Sequence, residues 1–202
     1  LPKDKFRQPY IARQVRVTIP IHLAPLSWSS FQLVEGPAAQ SDGIFQNGVI
    51  DTPFVTVSVD EGITVYDKTT NEAYEDFIQF EDRGDIGNEY IYFQPKGTEP
   101  IFAKLKGYEI LENNARYAKV LLKHDLTIPV SADEKLDAEQ RGIIEFMKRD
   151  AGRSEELTTI PLETEMTIFV DDPQIRFKTR FTNTAKDHRI RLLVKTHNTR
   201  PS

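Results

Sequence analysis

Residues 159–170 read TIPLETEMTIFV. Ile160, Leu162, Met166, Ile168 and Val170 occupy alternate positions, with Glu163, Glu165 and Thr167 between them. An extended chain points successive side chains to opposite faces, so this pattern sets an apolar face against a polar one. The same alternation recurs along the chain. In RQVRVTIPI (13–21), Val15, Val17, Ile19 and Ile21 oppose Gln14, Arg16 and Thr18. In QIRFKTRF (174–181), Ile175, Phe177 and Phe181 oppose Arg176, Lys178 and Arg180. In HRIRLLVK (188–195), Ile190, Leu192 and Val194 oppose Arg189, Arg191 and Lys195. FVTVSV (54–59), ITVY (63–66) and RYAKVLL (116–122) are further candidate strands. One-sided strands belong to antiparallel sheets with one wet face. Many of them, with turns between, predict an all-β antiparallel sandwich.

Around these strands the chain is organised by its turns. GPAAQSDGIFQNG (36–48) is small, polar and turn-prone. We read residues 1–36 as the end of a small preceding β-domain, 37–48 as a linker, and 49–202 as a large sandwich truncated at its C-terminal end. One helix is expected. Ser131 would cap it with Glu134 in the capping-box position, and Leu136, Gln140, Ile143 and Met147 would form its inner stripe beside Phe146. Gly142 weakens that helix by about 1 kcal/mol, and Gly152 is its expected stop.

Composition excludes several function classes. Hydrophobic residues make up 39% of the 202 positions and Phe occurs 12 times, which supports a packed core. The net charge of -5 offers no general attraction for nucleic acid or an anionic membrane. Cysteine is absent, so disulfides, thiolate nucleophiles and Cys-ligated zinc are excluded. A reducing compartment, the cytoplasm, is the expected location. No apolar run approaches the ~18 residues needed to span a bilayer. The opening LPKDKFRQPY reads as mid-chain linker rather than as a signal peptide, and the chain is expected to be a piece of something longer.

No catalytic motif stands out. His22, His124, His188 and His197 are scattered, and the neighbours His124–Asp125 and Asp187–His188 would point to opposite faces of a strand. They read as solvated or packing histidines. No GxSxG occurs. Gly84 and Gly87 lack the third glycine of a dinucleotide fingerprint, and Asp82, Asp85 and Glu89 do not follow the order of a calcium loop.

The stretch FEDRGDIGNEYIYFQPKG (80–97) remains. Its glycines permit a sharp turn, and Asp85 and Asn88 can fold back on the main chain as Asx turns. An aromatic strand is expected to follow, with Ile91 and Phe93 towards the core and Tyr90, Tyr92 and Gln94 on the other face. A tyrosine face suits a sugar, because the ring offers an apolar plate and the hydroxyl a hydrogen bond. The plain structural reading is tyrosines at the edge of a core. The basic stripes of 174–181 and 188–195 read as a solvated outer face, then as a docking face for another domain, then as a phosphate site.

These residues resemble a known family. FEDRGDIGNEYIYFQPKG resembles the glycine–aspartate turn and aromatic strand of bacterial α-mannosidases of glycoside hydrolase family 38. IPIHLAPLSWSSFQL (19–33), VTVSVDEGITVYDKTTNEAYED (55–76) and RFTNTAKDHRIRLLVKT (180–196) resemble the family's segments in the same order and spacing. The resemblance implies a mutarotase-like supersandwich with one short helix, packed on a catalytic domain of the same polypeptide. It implies retaining hydrolysis of α-mannosides, which needs two carboxyl groups about 5 Å apart. Those two Asp residues, and a zinc ion held by His and Asp, would lie in the catalytic domain, with no catalytic or metal-binding residue and no cofactor in this chain. Tyr90 would contact the mannose, with Asp85 as its neighbour. Asn88 stands where many relatives carry Asp. The expected partners are the catalytic domain and the mannoside, with neither nucleic acid nor membrane. A stand-alone carbohydrate-binding sandwich, a mutarotase-like epimerase and a purely structural interface domain are the alternatives. The epimerase would need a His and a carboxylate to converge in a cleft.

Overall fold

A computed structural model of the chain describes residues 21, 23–32, 34, 36 and 42–196. His22 and His197 lie outside the described residues, and the strand expected over 13–21 reaches them only at Ile21. The chain divides into two compact units, 1–39 and 40–202. In the first, the backbone N–H and hydroxyl of Ser27 both donate to the Ala24 carbonyl, at 3.2 and 2.6 Å. All the described strands belong to the second.

Five strands open that unit as an antiparallel meander: β1 (Phe45–Gln46), β2 (Val49–Asp51), β3 (Val55–Val59), β4 (Ile63–Asp67) and β5 (Glu72–Tyr74). The chain continues through β6 (Ile78–Gly84), β7 (Ile101–Phe102), β8 (Lys104–Asn113), β9 (Tyr117–Pro129), α1 (Lys135–Arg141), β10 (Leu157–Phe169), β11 (Ile175–Phe181) and β12 (His188–Val194). A second sheet has the order β11-β10-β9-β8 and a third the order β12-β6-β7. Every named pairing is antiparallel. The architecture is the all-β sandwich that the alternation predicts, with one short α-helix among the described residues.

The long strands β9 and β10 pair over their whole length, from Leu157 opposite Pro129 to Phe169 opposite Tyr117. Their inward faces carry two cores end to end. Ala118, Val120, Leu122, Met166 and Ile168 meet the meander through Phe45, Ile50, Val57 and Val65. Leu126, Ile128, Ile160 and Leu162 meet Phe80 of β6 and Ala185. Thr164, fully buried on the same face, pairs its hydroxyl with that of Thr179 across the ladder at 2.9 Å. The outer edge strand β8 follows β9 with register shifts at Leu105/Gly107 and Ile110/Glu112.

Two sequence expectations change. The stretch read as a linker ends in a hairpin, because β1 pairs with β2 from Phe45 opposite Ile50. Asn47 (φ 51) and Gly48 (φ 81) both take left-handed backbone, the geometry an Asn-Gly turn favours. The helix is shorter than its stripe. Ser131 does not cap it: its hydroxyl donates to the Ala132 carbonyl, and Glu134 at the N-terminal boundary makes no capping bond. Gly142 ends the helix and Ile143 turns left-handed (φ 53), leaving Ile143 90% exposed. The Glu139 carboxylate then accepts from the backbone N–H of Asp150 (2.7 Å) and Ala151 (3.3 Å), folding the following segment back on the helix. Met147 is exposed, Leu136 alone of the helix is buried, and residues 146–148 form a separate 3-10 turn. Among the described residues no helix is long and apolar enough to cross a membrane.

His124 lies on the inward face of β9, its ring 5.4 Å from that of Phe80 in an edge-on contact, and its Nδ1 has no partner. Burial pulls the imidazole down to about 4 from the ordinary 6.5. The folded ring is neutral between those values, whereas an unfolded one binds a proton. The neutral ring therefore carries no stability cost above pH 6.5. Acidification towards pH 4 should remove about 3 kcal/mol. Urea denaturation at pH 7 and pH 4 should show that loss in the wild type. His124→Leu should remove this part of the slope.

Candidate functional site

Two neighbouring carboxylates on β6 organise the region around residues 85–95. Glu81 and Asp82 sit side by side, point to opposite faces of the strand and are both buried. Such groups persist only when paired and hydrogen-bonded.

Asp82 faces inward and is 0% exposed. Its Oδ2 accepts from Arg153 Nη1 at 2.5 Å, and its Oδ1 lies 2.6 Å from His188 Nδ1. The other ring nitrogen of His188 is 3.0 Å from Asn183 Oδ1, which also accepts the Ala185 backbone N–H at 3.0 Å. Asn183, two residues beyond the Arg-rich strand β11, thus helps seat the first residue of β12. Here the sequence reading is corrected: His188 is a sealed member of a carboxylate network. No local spacing could reveal it, because His188 and Asp82 are 106 positions apart.

Glu81 faces outward and opposes Arg191 across the β6–β12 ladder. Arg83 Nε and Arg191 Nε each donate to its Oε1 at 2.9 Å, and Arg191 Nη2 donates there as well. The bond from Arg83, with further help from Arg191, holds the Glu81 carboxyl below the usual range despite burial. Arg83 also donates to Gln94 Oε1 at 3.0 Å, and the Arg189 guanidinium stacks 3.7 Å from the Tyr92 ring. Of the β12 stripe, Arg189 is therefore engaged by the 85–95 loop, Arg191 by Glu81 and Lys195 by Asp76. On β11, Arg176, Lys178 and Arg180 remain exposed as expected.

Residues 85–95 form a closed loop and not the expected aromatic strand. Asp85 Oδ1 accepts from the backbone N–H of Gly87 (2.9 Å) and Phe93 (3.1 Å). Asn88 Oδ1 accepts from those of Tyr90 and Ile91, each at 2.9 Å. Backbone bonds from Ile86 N–H to the Phe93 carbonyl and from Asn88 N–H to the Ile91 carbonyl complete the closure. These captures leave no ladder for a strand to join. The Asx turns read from the sequence are present, and they are the reason the strand is not. Phe93 turns inward to Ile86, Ala132, Leu136 and Ala151, and meets Phe146 edge-on at 5.6 Å. Ile91, expected inside, is 46% exposed. Tyr90 is 89% exposed at the tip.

A cavity of about 540 Å³ opens beside this tip. Tyr90, Asp85 and Glu89 line it from the loop, Arg149 from the segment after α1, and Asp187 and His188 from the turn into β12. Asp187 ties the walls together: its carbonyl accepts the Asp85 N–H at 2.8 Å and its Oδ2 the Ala132 N–H at 3.1 Å. The structure thus brings both residues proposed from sequence, Tyr90 and Asp85, to one cavity. It assigns one Asp85 oxygen to loop closure. Among the described residues no group of three or more His, Cys, Asp or Glu is placed to hold a metal ion.

Comparison with known proteins identifies the class. Residues 1–35 match the model of glycosyl hydrolases family 38, C-terminal domain 1. Over 209 aligned residues, 96% of this chain is 34% identical to a Halalkalibacterium halodurans protein named "Putative mannosylglycerate hydrolase", of which it spans 23%. The crystal structure of an alpha-mannosidase from Enterococcus faecalis matches 83% of the chain with a TM-score of 0.77 and 32% identity, over 20% of that protein. A glycosyl hydrolase family 38 protein, also from Enterococcus faecalis, matches 79% with a TM-score of 0.74 and 32% identity, again over 20% of its length. The chain is thus homologous to α-mannosidases of glycoside hydrolase family 38 and spans about a fifth to a quarter of the length of these relatives.

Two substitutions test the construction of the site. Asp82→Ala strands Arg153 and His188 in the interior. Breaking a buried pair in this way should cost about 3–5 kcal/mol in urea denaturation. A Cβ on Gly87 would lie 1.8 Å from the Ile91 carbonyl oxygen and 2.9 Å from Phe93 N. Gly87→Ala should therefore open the loop. Amide exchange should speed up at Tyr90 and Phe93 while β9 and β10 keep their protection.

Proposed function

We propose that this chain is a non-catalytic sandwich portion of a retaining α-mannoside hydrolase, and that the 85–95 loop completes the wall of its mannose pocket. The observation that carries this reading is Tyr90: a phenol held almost wholly in the open at the tip of a loop fastened from both sides. An exposed apolar ring is costly to present, and a rigid closed loop limits the entropy lost when it meets a ligand. A sugar face suits the ring, and the hydroxyl can bond a sugar oxygen. Asp85 and Asp187 add acceptors for sugar hydroxyls on the same cavity.

Under this reading the chemical step is carried out elsewhere in the polypeptide. The catalytic carboxylates and the zinc belong to a catalytic domain against which the loop packs. The relatives' names give two substrate classes for that domain, α-mannosides and mannosylglycerate. The chain alone should show no hydrolysis.

In the full-length protein, Tyr90→Phe should lower kcat/KM for an α-mannoside about tenfold, and Tyr90→Ala about a hundredfold. The melting temperature should stay unchanged, because the ring contributes little to the core. Unaltered kinetics in Tyr90→Ala would exclude the loop from the pocket.

A further inference from the structure

The cavity beside Tyr90 contains a cation whose role the loop alone does not explain. Arg149 is only 8% exposed. Its Nε donates to the Ile144 carbonyl at 3.2 Å, and its Nη1 donates to the carbonyls of Ile86 at 2.5 Å and Gly87 at 2.7 Å. Three backbone acceptors from two segments therefore fix the plane of the guanidinium, and two of them belong to the Tyr90 loop.

Those acceptors are neutral. Among the described residues no carboxylate forms an ion pair with Arg149, whereas Arg83, Arg153 and Arg191 each have one. A guanidinium cannot shed its proton. Burying its charge against carbonyl dipoles alone leaves it electrostatically unbalanced. One part of the group stays available. Among the described residues the sealed side-chain nitrogens without a partner are on Arg153, Arg189 and His124, so the Arg149 Nη2, which bonds no described protein atom, is not sealed, and the residue lines the cavity.

The rest of the wall narrows the ligand. Asp85 and Asp187 each commit one oxygen to backbone N–H groups and keep the other, and Glu89 stands at the rim. Carboxylates accept hydroxyl groups and repel dense negative charge. A neutral mannoside would satisfy them and leave Arg149 unanswered. A phosphate dianion would answer Arg149 and oppose the three carboxylates. A polyhydroxy ligand with a single carboxylate fits both demands.

We infer that Arg149 is a specificity-determining residue that binds a carboxylate carried by the group attached to the mannose, so that the substrate class is a mannoside of a hydroxy acid. This rests on the reading of the Tyr90 loop as a pocket wall. The preorganised guanidinium makes the charge-assisted bond at little reorganisation cost.

The test uses the full-length protein with mannosylglycerate and its uncharged methyl ester. The wild type should prefer the acid by about tenfold to a hundredfold in kcat/KM, the range of one hydrogen bond to a charged group. Arg149→Gln should bring the acid-to-ester ratio close to one, and Arg149→Lys should restore part of it. Loosening of the loop by either substitution affects both substrates and cancels in the ratio. A wild type with no preference for the acid, or a ratio that Arg149→Gln leaves unchanged, would overturn the assignment. The same comparison read as Kd by calorimetry needs no turnover, so it decides the matter even where hydrolysis is absent. Tyr90→Ala should lower both substrates alike and leave the ratio intact. A silent Tyr90→Ala with a ratio lost in Arg149→Gln would remove the pocket-wall reading and keep the carboxylate site.

Discussion

The buried carboxylate of Asp82 is the point on which the local architecture turns. It stands midway along β6 and draws in Arg153, from just before β10, and His188, from the start of β12. A carboxylate in that position cannot be left alone, so its two partners are held wherever the backbone can bring them. Their arrival fixes much of what surrounds the cavity. Arg153 forms an isolated bridge with Ala132 at the base of the helical segment. His188 places Asp187, whose carbonyl and carboxylate fasten the loop and that segment respectively. The walls of the cavity are thus consequences of one buried ionic centre.

The neighbouring Glu81 does the complementary work outside. It gathers Arg83 and Arg191, while Gln94 and Tyr92 of the returning loop settle over Arg83 and Arg189. Alternation along a single strand therefore separates two ionic clusters by one sheet thickness. The inner one orders the chain entering β12, and the outer one ties down the far end of the loop. Tyr90 lies between these anchors, which explains how an exposed ring can have a defined position.

The strands were legible because burial on one face imposes a period of two, and TIPLETEMTIFV shows it without interruption apart from Thr164, whose hydroxyl finds Thr179. The Asn-Gly hairpin at 47–48 was equally available in the residues, but the polar flanks concealed it as a linker. The helix was overread because a stripe of Leu, Ile and Met says nothing about Glu139 reaching forward to Asp150. Side chains that capture backbone donors also replaced the aromatic strand with a loop, although the residues responsible, Asp85 and Asn88, were recognisable as turn-makers. Family resemblance supplied Tyr90. Nothing in the sequence supplied Arg149 or the His188–Asp82 pair, since Arg149 takes two of its three acceptors, and His188 its carboxylate, from segments 60 or more positions away.

The irregular register of β8 has a consequence for the behaviour of the chain in solution. An outer strand with Tyr108, Ile110 and Leu111 partly uncovered offers unpaired backbone donors and acceptors to any similar edge. Each of its two bulges adds local twist and interrupts the spacing that a second edge would have to match. Lys104, Lys106, Glu109 and Glu112 place charge along the same rim. Straightening this strand by deleting one bulge residue would leave the sandwich interior untouched while turning its border into a template for filament-like self-association.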